Sequence, residues 1–324
     1  MNRFEYARAG SPEEAAALLA GEACRIIAGG TDLLPLMKEG IITPAQLVDI
    51  SPWLKGREVV QGTDQLEFGA LVTLSEIAGN EEVKVGYSAL AEACNLAAAP
   101  QLRNMGTIGG NLVQATRCAY FRGPYDCWLK GGETCFARAG ENEQHSILLT
   151  SPQQSMCVSA HPSDPATALL ALGTRVRYQT ASAVTEVNLS DFYSLPTEEH
   201  RRMTTMPPDA VITAVVLPRK PTRSLYRKAM ARATWSFALA GLALAVEIEQ
   251  GAITEARLAL GGVAPIPIRA EAVEQAMVGH APGELPANDL TELLIQNARP
   301  LSQNGYKVQL LKGLFQQVLR DLAN

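Results

Sequence analysis

Two glycine turns, Gly29-Gly30 and Gly109-Gly110, constrain the fold of this 324-residue chain more than any other feature. Arg25-Ile26-Ile27-Ala28 has the composition of a strand and runs into Gly29-Gly30-Thr31-Asp32; Leu33-Leu-Pro-Leu-Met37 then resumes an apolar, helix-like pattern. The second turn, Thr107-Ile-Gly-Gly-Asn111, follows Gln101-Leu-Arg-Asn104. Without a Cβ, the backbone N–H groups of such turns can approach a pyrophosphate, and a following helix start adds partial positive charge. One such turn is as readily a tight strand end. Two of them, each at the edge of an α/β unit, form the arrangement needed to grip a diphosphate from both sides.

The second turn opens a segment that closes at His161-Pro-Ser-Asp164 and holds Cys118, Cys127, Cys135 and Cys157, four of the six cysteines within 40 positions. Asp164 suits a ribose hydroxyl, because a short carboxylate beside a turn accepts from such a donor. The gaps of eight, seven and twenty-one residues are not the paired C-x₂-C knuckles of a zinc ribbon. Thiolates spread along a loop suit a cubane cluster, which takes four sulfur ligands at separate corners; a zinc loop and unrelated cysteines are the alternatives. Cys24 and Cys94 read as small core residues. His145 reads as a surface loop histidine, with metal ligation as the alternative, and His161 as a residue that holds a turn.

Hydrophobic residues at 47% and charged residues at 19% allow a large core and two or three domains. A net charge of −5 and no Lys/Arg block argue against nucleic acid. The N-terminus lacks an apolar signal-like run, and the longest apolar candidate, Phe237 to Val246, is broken by Gly241. No export signal and no membrane span are expected, and reduced thiols follow.

Ser11-Pro12-Glu13-Glu14 predicts a capped helix, and Thr73-Leu-Ser-Glu76 another. Strands are expected at Pro44–Ile50, Leu66–Val72, Thr174–Tyr178 and Ala210–Leu217, with a strand-like stretch at Val187–Tyr193. Helices are expected at Tyr87–Ala99, stopped by Pro100, and at Pro165–Leu172. After a proline-bearing linker, Pro218–Pro221, a meander of Ser224–Lys228, Phe237–Ile248 and Ile253–Gly261 precedes two helices, Ile268–Met277 and Leu290 to the C-terminus.

Taken together, Ala28-Gly-Gly-Thr-Asp-Leu33, Thr107-Ile-Gly-Gly-Asn111, His161-Pro-Ser-Asp164, Tyr226-Arg-Lys228 and Leu260-Gly-Gly-Val-Ala264 resemble, in order, the FAD-binding subunit of the molybdenum hydroxylases. That family includes xanthine dehydrogenases, aldehyde oxidoreductases and carbon monoxide dehydrogenases, and the resemblance covers essentially the whole chain. It implies an α+β fold: a two-part FAD-binding domain of the vanillyl-alcohol-oxidase type, at 1–55 and 56–221, then a smaller domain of antiparallel sheet and helices at 222–324. The cysteine segment, about 116–158, resembles the version that carries an additional 4Fe–4S cluster on Cys118, Cys127, Cys135 and Cys157.

The resemblance further implies that Ile26, Ile27, Ala28, Gly29, Gly30, Thr31, Asp32 and Leu33 wrap the pyrophosphate and ribityl chain of FAD. Thr107, Gly109, Gly110 and Asn111 would close the other side, with Asp164 at the adenosine part. Ile212 would meet the isoalloxazine through its backbone, and Lys228 would stand near the ring, where a cation stabilises a reduced flavin anion. The family often has an acid where this chain has Trp235-Ser236.

Flavin exchanges two electrons and iron–sulfur clusters one, so the implied role is an electron converter in an oxidoreductase complex, with no catalytic residue for substrate in this chain. The implied partners are a large subunit with a molybdenum cofactor and a small subunit with two 2Fe–2S clusters, in a heterotrimer or a dimer of heterotrimers, and an external acceptor. The His-Pro-Ser-Asp164 ending and Arg232-Ala-Thr-Trp-Ser-Phe-Ala238 look closest to the aldehyde-oxidoreductase branch. Alternatives are reversed electron flow, as in 4-hydroxybenzoyl-CoA reductase, a zinc-bearing scaffold, and a self-sufficient flavin reductase, for which no proton donor stands out. By its own sequence the chain is expected in the cytoplasm, or in the periplasm if a signal-bearing partner exports it folded.

Overall fold

The computed structural model describes residues 1–21 and 23–324. Its first sheet contains β1 (Glu5–Arg8), β2 (Cys24–Ile27) and β3 (Gln46–Asp49), all parallel, in the order β1-β3-β2. Parallel neighbours require crossover connections. The first is the helix Pro12–Leu19, where the Ser11 hydroxyl accepts from the Glu14 N–H and Ala15, Ala16 and Leu19 turn inward. The second runs from β2 through Gly29-Gly30 into the helix Leu33–Lys38. The first glycine turn therefore stands at the carboxyl end of a parallel strand, the usual place for a ligand in such units.

A second sheet contains β4 (Val59–Gln61), β5 (Leu66–Gly69), β6 (Arg175–Gln179), β7 (Val184–Asn188) and β8 (Val211–Leu217), in the order β4-β5-β8-β6-β7 with antiparallel pairs. Between β5 and β6 lie a capping-box helix (Leu74–Gly79), the buried helix Ser88–Leu96, the second glycine turn, the cysteine segment and the helix Asp164–Ala171.

The third sheet, β9 (Arg223–Met230), β10 (Ala238–Glu249), β11 (Ala252–Gly261) and β12 (Ile268–Arg269), is antiparallel in chain order. Its two faces alternate with the strand period. Leu242, Leu244 and Val246 enter a core with Leu311, Phe315 and Val318 of the C-terminal helix Tyr306–Ala323. Ala243 and Ala245 point the other way, into the core shared with the helices Ser88–Leu96 and Asp164–Ala171. Burial on both faces explains the unbroken apolar run in β10.

The chain departs from its periodicity in four places. Ile268 belongs to a strand, not a helix: Ile268–Arg269 pair with Leu260 and Ala259, and the helix begins at Glu271. The expected helix from Leu290 onward is two helices, Ala287–Ile295 and Tyr306–Ala323. Pro300, which cannot donate in a helix interior, lies in the interruption. Pro100 opens a short helix, Pro100–Arg103, after the preceding one has ended at Leu96. Strand β7 ends at Asn188, and Leu189–Phe192 is a helical turn.

Candidate functional site

The two glycine turns touch. A Cβ at Gly29 would stand 1.7 Å from the Met105 carbonyl oxygen, so only glycine permits this approach. Gly30 has φ +69°, in the left-handed region that glycine enters without strain. On the other side, the Gly109 N–H donates to the Ala70 carbonyl at 2.9 Å, and the Thr107 hydroxyl accepts from the Gly110 N–H at 3.3 Å. Ser163 donates to Asn111 Oδ1 while accepting from the Ala166 N–H, which ties the second turn to the start of the helix Asp164–Ala171.

These turns border a cavity of about 490 Å³. Ile26, Ala28, Gly29, Gly30, Thr31, Asp32 and Leu33 line one side, and Thr107, Gly109, Gly110 and Asn111 another. Asp164 and Ile212 of β8 also face it. Ile27 is not among the lining residues; its carbonyl accepts from the Ile50 N–H, next to β3.

Lys228 is not a lining residue either. Its ammonium donates to Asp164 Oδ2 at 2.7 Å and to the Leu96 carbonyl at 3.0 Å, while the Tyr226 hydroxyl donates to Asp164 Oδ1 at 2.7 Å. Burial pushes the Asp164 carboxyl up, against the pull of Lys228. A carboxylate has about four lone-pair sites, so Asp164 can still accept from a hydroxyl in the cavity.

Asp32 is an anchor as well as a wall. One oxygen pairs with Arg117 at 2.8 Å and Arg122 at 2.7 Å, and the other accepts from the Ala115 N–H at 2.8 Å. The first turn thereby holds the entry to the cysteine segment.

Arg117 and Phe237 line the cavity and escaped the sequence reading. The Arg117 guanidinium lies 4.8 Å from the centre of the Phe237 ring, and burial lowers its pKa to about 10. The only signal for Arg117 was its place beside Cys118; its partner Phe237 is 120 residues away. Trp235, at the position where the family often has an acid, is exposed in a left-handed conformation, φ 51°, with its carbonyl held by Arg232.

The cysteines of the segment lie near enough that a charge on one would disfavour a charge on another: Cys118 with Cys127 and Cys135, and Cys157 with Cys135 and Cys118. No disulfide joins them. Backbone N–H groups of Tyr120 and Phe121 face the Cys118 sulfur, those of Leu129 and Lys130 face Cys127, and the Ser159 N–H and hydroxyl face Cys157. Burial pushes the thiols of Cys118, Cys127 and Cys157 up, Cys118 to about 11 and Cys157 to about 12. Left alone, these three are neutral thiols; their thiolates require a bound cation. Among the described residues no three His, Cys, Asp or Glu side chains converge as for a single metal ion.

His145 is not a surface histidine. It is buried, with Nε2 3.2 Å from Cys118 Sγ, because the connection between the last two helices grips the backbone around it. Asn304 donates to the carbonyls of His145 and Ser146 at 3.1 and 3.0 Å, while Asn142 and Gln303 exchange hydrogen bonds through their side chains and N–H groups at 3.0 Å. His161 is buried at the turn before Ser163, as expected, with its ring edge-on to Tyr193.

A family model described as the FAD binding domain in molybdopterin dehydrogenase matches residues 2–220, and one described as the CO dehydrogenase flavoprotein C-terminal domain matches 225–322. The chain belongs to the FAD-binding subunits of the molybdenum hydroxylases. Among the members of this flavoprotein family, the aldehyde oxidoreductase FAD-binding subunit PaoB of Escherichia coli (strain K12) is 34% identical over 99% of this chain and 98% of its own. The glyceraldehyde dehydrogenase medium chain of Sulfolobus acidocaldarius is 25% identical over 99% and 98%. The fold is shared with a solved structure of carbon monoxide dehydrogenase from Hydrogenophaga pseudoflava, with a TM-score of 0.76 at 24% identity, over 98% of this chain and 96% of that one.

As a molybdenum hydroxylase flavoprotein, this chain is a subunit of an oxidoreductase and binds FAD. A 490 Å³ cavity closed by two Cβ-free turns fits a dinucleotide diphosphate. No helix among the described residues is long and apolar enough to cross a membrane.

Proposed function

We propose that this chain is the FAD and 4Fe–4S electron-transfer subunit of a molybdenum-dependent aldehyde oxidoreductase. Full-length similarity to an aldehyde oxidoreductase subunit and to a glyceraldehyde dehydrogenase medium chain supports the aldehyde assignment. The partners are a large subunit with the molybdenum cofactor and a small subunit with 2Fe–2S clusters, in a heterotrimer or a dimer of heterotrimers. Substrate is oxidised in the large subunit. Electrons leave through this chain to an external acceptor, and the complex works in the cytoplasm, or in the periplasm if a partner carries the export signal.

The observation that carries the cluster is the approach of Cys118, Cys127, Cys135 and Cys157 to one another, two of them buried and two half-buried, with backbone N–H groups aimed at three of the sulfurs. In a cubane each thiolate binds a different iron, so the four sulfurs stand farther apart than ligands of one ion.

Within the complex, flavin supplies a junction between two-electron and one-electron transfer. The chain's own residues do the rest. Gly29 lets the first turn pack against the Met105 carbonyl beside the cavity that would take the diphosphate, and Asp164 is held ready for a ribose hydroxyl by Tyr226 and Lys228. Ile212 contributes a buried apolar wall to the cavity. Asp32 couples the diphosphate turn to Arg117 and Arg122, which lead into the cluster segment.

Anaerobic purification with flavin, iron, sulfide and zinc measured per chain tests the proposal. About one FAD with about four each of iron and sulfide, the content of one cubane, is expected, and Cys127→Ser should lose the iron while keeping much of the flavin. FAD without iron would reduce the cysteines to structural residues, zinc in place of iron would favour a zinc loop, and a natural partner that reduces an aroyl-CoA would reverse the electron flow.

A further inference from the structure

Among the described residues, the chain enters the left-handed region without glycine at Ala23, Ala98, Leu149, Trp235 and Gln250, and of these Ala98 alone lines the FAD cavity. It stands between the helices Ser88–Leu96 and Pro100–Arg103, with φ +49° and extended neighbours on both sides, Ala97 and Ala99. Glycine is the usual residue for this conformation just past a helix end, because a Cβ crowds the following carbonyl. Something must hold an alanine there.

The backbone bonds that commonly stabilise such an ending are absent among the described residues: neither the Ala98 nor the Ala99 N–H reaches back to a helix carbonyl. Side-chain cations act instead. Arg103 Nη1 donates to the carbonyls of Ala97 and Ala98, both at 3.1 Å, and the Lys228 ammonium donates to the Leu96 carbonyl at 3.0 Å. Three successive carbonyls are thus held by charged donors, whose hydrogen bonds are stronger than neutral ones.

Both donors also belong to other walls of the cavity. Lys228 joins Leu96 to Asp164. Arg103 lies two residues before Met105, whose carbonyl stands against Gly29, and its own N–H donates to the Ala99 carbonyl at 2.9 Å. The cavity is lined by Ala97 and Ala98 together with Gly29, Thr107 and Asp164.

We propose that Arg103 is a positioning residue for FAD: by holding the Ala97 and Ala98 carbonyls it keeps Ala98 left-handed, so that this wall has its binding shape before the cofactor arrives. The inference rests on FAD binding in this cavity and is independent of the cysteine segment. Without Arg103, the alanine relaxes out of the left-handed region, and FAD binds only the fraction of molecules in which the turn keeps its shape. The apparent affinity falls by that fraction. Glycine at position 98 removes the penalty, since it enters the region freely.

The test is FAD titration, read by flavin fluorescence, of the full-length protein freed of its flavin. Arg103→Leu should bind FAD about tenfold more weakly, equivalent to about 1.4 kcal/mol, within the cost of one left-handed alanine. Ala98→Gly should bind about as tightly as the wild type, and adding it to Arg103→Leu should recover most of the loss. An arginine that touched FAD itself, or that only supported the fold, would not be rescued by glycine at position 98. Wild-type affinity in Arg103→Leu, or a loss that Ala98→Gly leaves in place, would therefore overturn the proposal. If Arg103→Leu does not fold, the double variant decides: near-wild-type affinity supports the proposal, and failure to fold or to bind FAD overturns it. A wild-type protein that takes up no FAD would overturn the assignment of the cavity, separately from the role of Arg103.

Discussion

The Lys228 ammonium and the Asp164 carboxylate meet at 2.7 Å inside the protein, with 0% and 4% of their side chains exposed. The pair joins β9 to the first turn of the helix Asp164–Ala171, and Tyr226, two residues along the same strand, takes the other carboxylate oxygen. Lys228 thus serves the cavity through Asp164.

Removing the cation should therefore be costly. Lys228→Met leaves Asp164 buried and unpaired, and a loss of about 3–5 kcal/mol of stability is expected, read by urea unfolding. Tyr226→Phe, which deletes one hydrogen bond at the same carboxylate, should cost about 1–3 kcal/mol. A loss in Lys228→Met no larger than in Tyr226→Phe would mean that Asp164 is not charged in the folded protein.

The contact between the turns gives a sharper test of the flavin cradle. Gly29→Ala puts a methyl 1.7 Å from the Met105 carbonyl, so one turn must retreat. FAD should bind at least about tenfold more weakly, equivalent to about 1.4 kcal/mol, as measured by flavin fluorescence on titration. Gly79→Ala, which meets nothing within 4 Å, should bind FAD normally. Equal affinity in the two variants would mean that the turns are not the diphosphate site.

Asp32 links the two halves of the site. Asp32→Ala frees Arg117 and Arg122 and leaves the Ala115 N–H without its acceptor. Because the carboxylate is 19% exposed, water screens the loss, and about 2 kcal/mol is expected. Proteolysis should then cut first within residues 116–158; an unchanged cleavage pattern would show that the segment is held without Asp32.

His161 supplies a pH dependence of known sign. Burial lowers its pKa to about 3, against about 6.5 for an exposed imidazole. Between these values the unfolded chain takes up a proton that the folded chain refuses. Stability is therefore full above pH 6.5 and is lost as pH falls towards 3, by up to about 1.4 kcal/mol per pH unit. His161→Gln should flatten the stability curve between pH 4 and 6.5 (window set by these pKa values, about one unit inside the lower limit). It should not level the curve, because burial also lowers His145, to about 4. Parallel curves for wild type and variant would show that His161 is protonated in the folded protein.

Local chemistry made much of the fold legible before the structure. Ser11 and Thr73 cap the helices that their spacing announces, and Gly29 and Gly109 stand at turns because no other residue allows the backbone contacts found there. The three long strands β9, β10 and β11 are also visible in the sequence, since β-propensity and turn residues act over a few positions. By contrast, Ile268 becomes a strand because Leu260 presents an open edge to it, and the last helical region divides around a connection whose Asn304 is needed at His145.

The site divides in the same way. Residue type and order marked both glycine turns, Asp164 and the four cysteines, because a close backbone approach, a hydroxyl acceptor and soft sulfur donors each demand a particular side chain. The tertiary structure alone decided that Lys228 spends its charge on Asp164, that Arg117 packs over Phe237, and that His145 turns inward to Cys118. Each of these pairs joins residues 27 to 120 positions apart in the chain. Their charges and ring nitrogens are set by burial and by which group arrives opposite them, and both are properties of the folded chain.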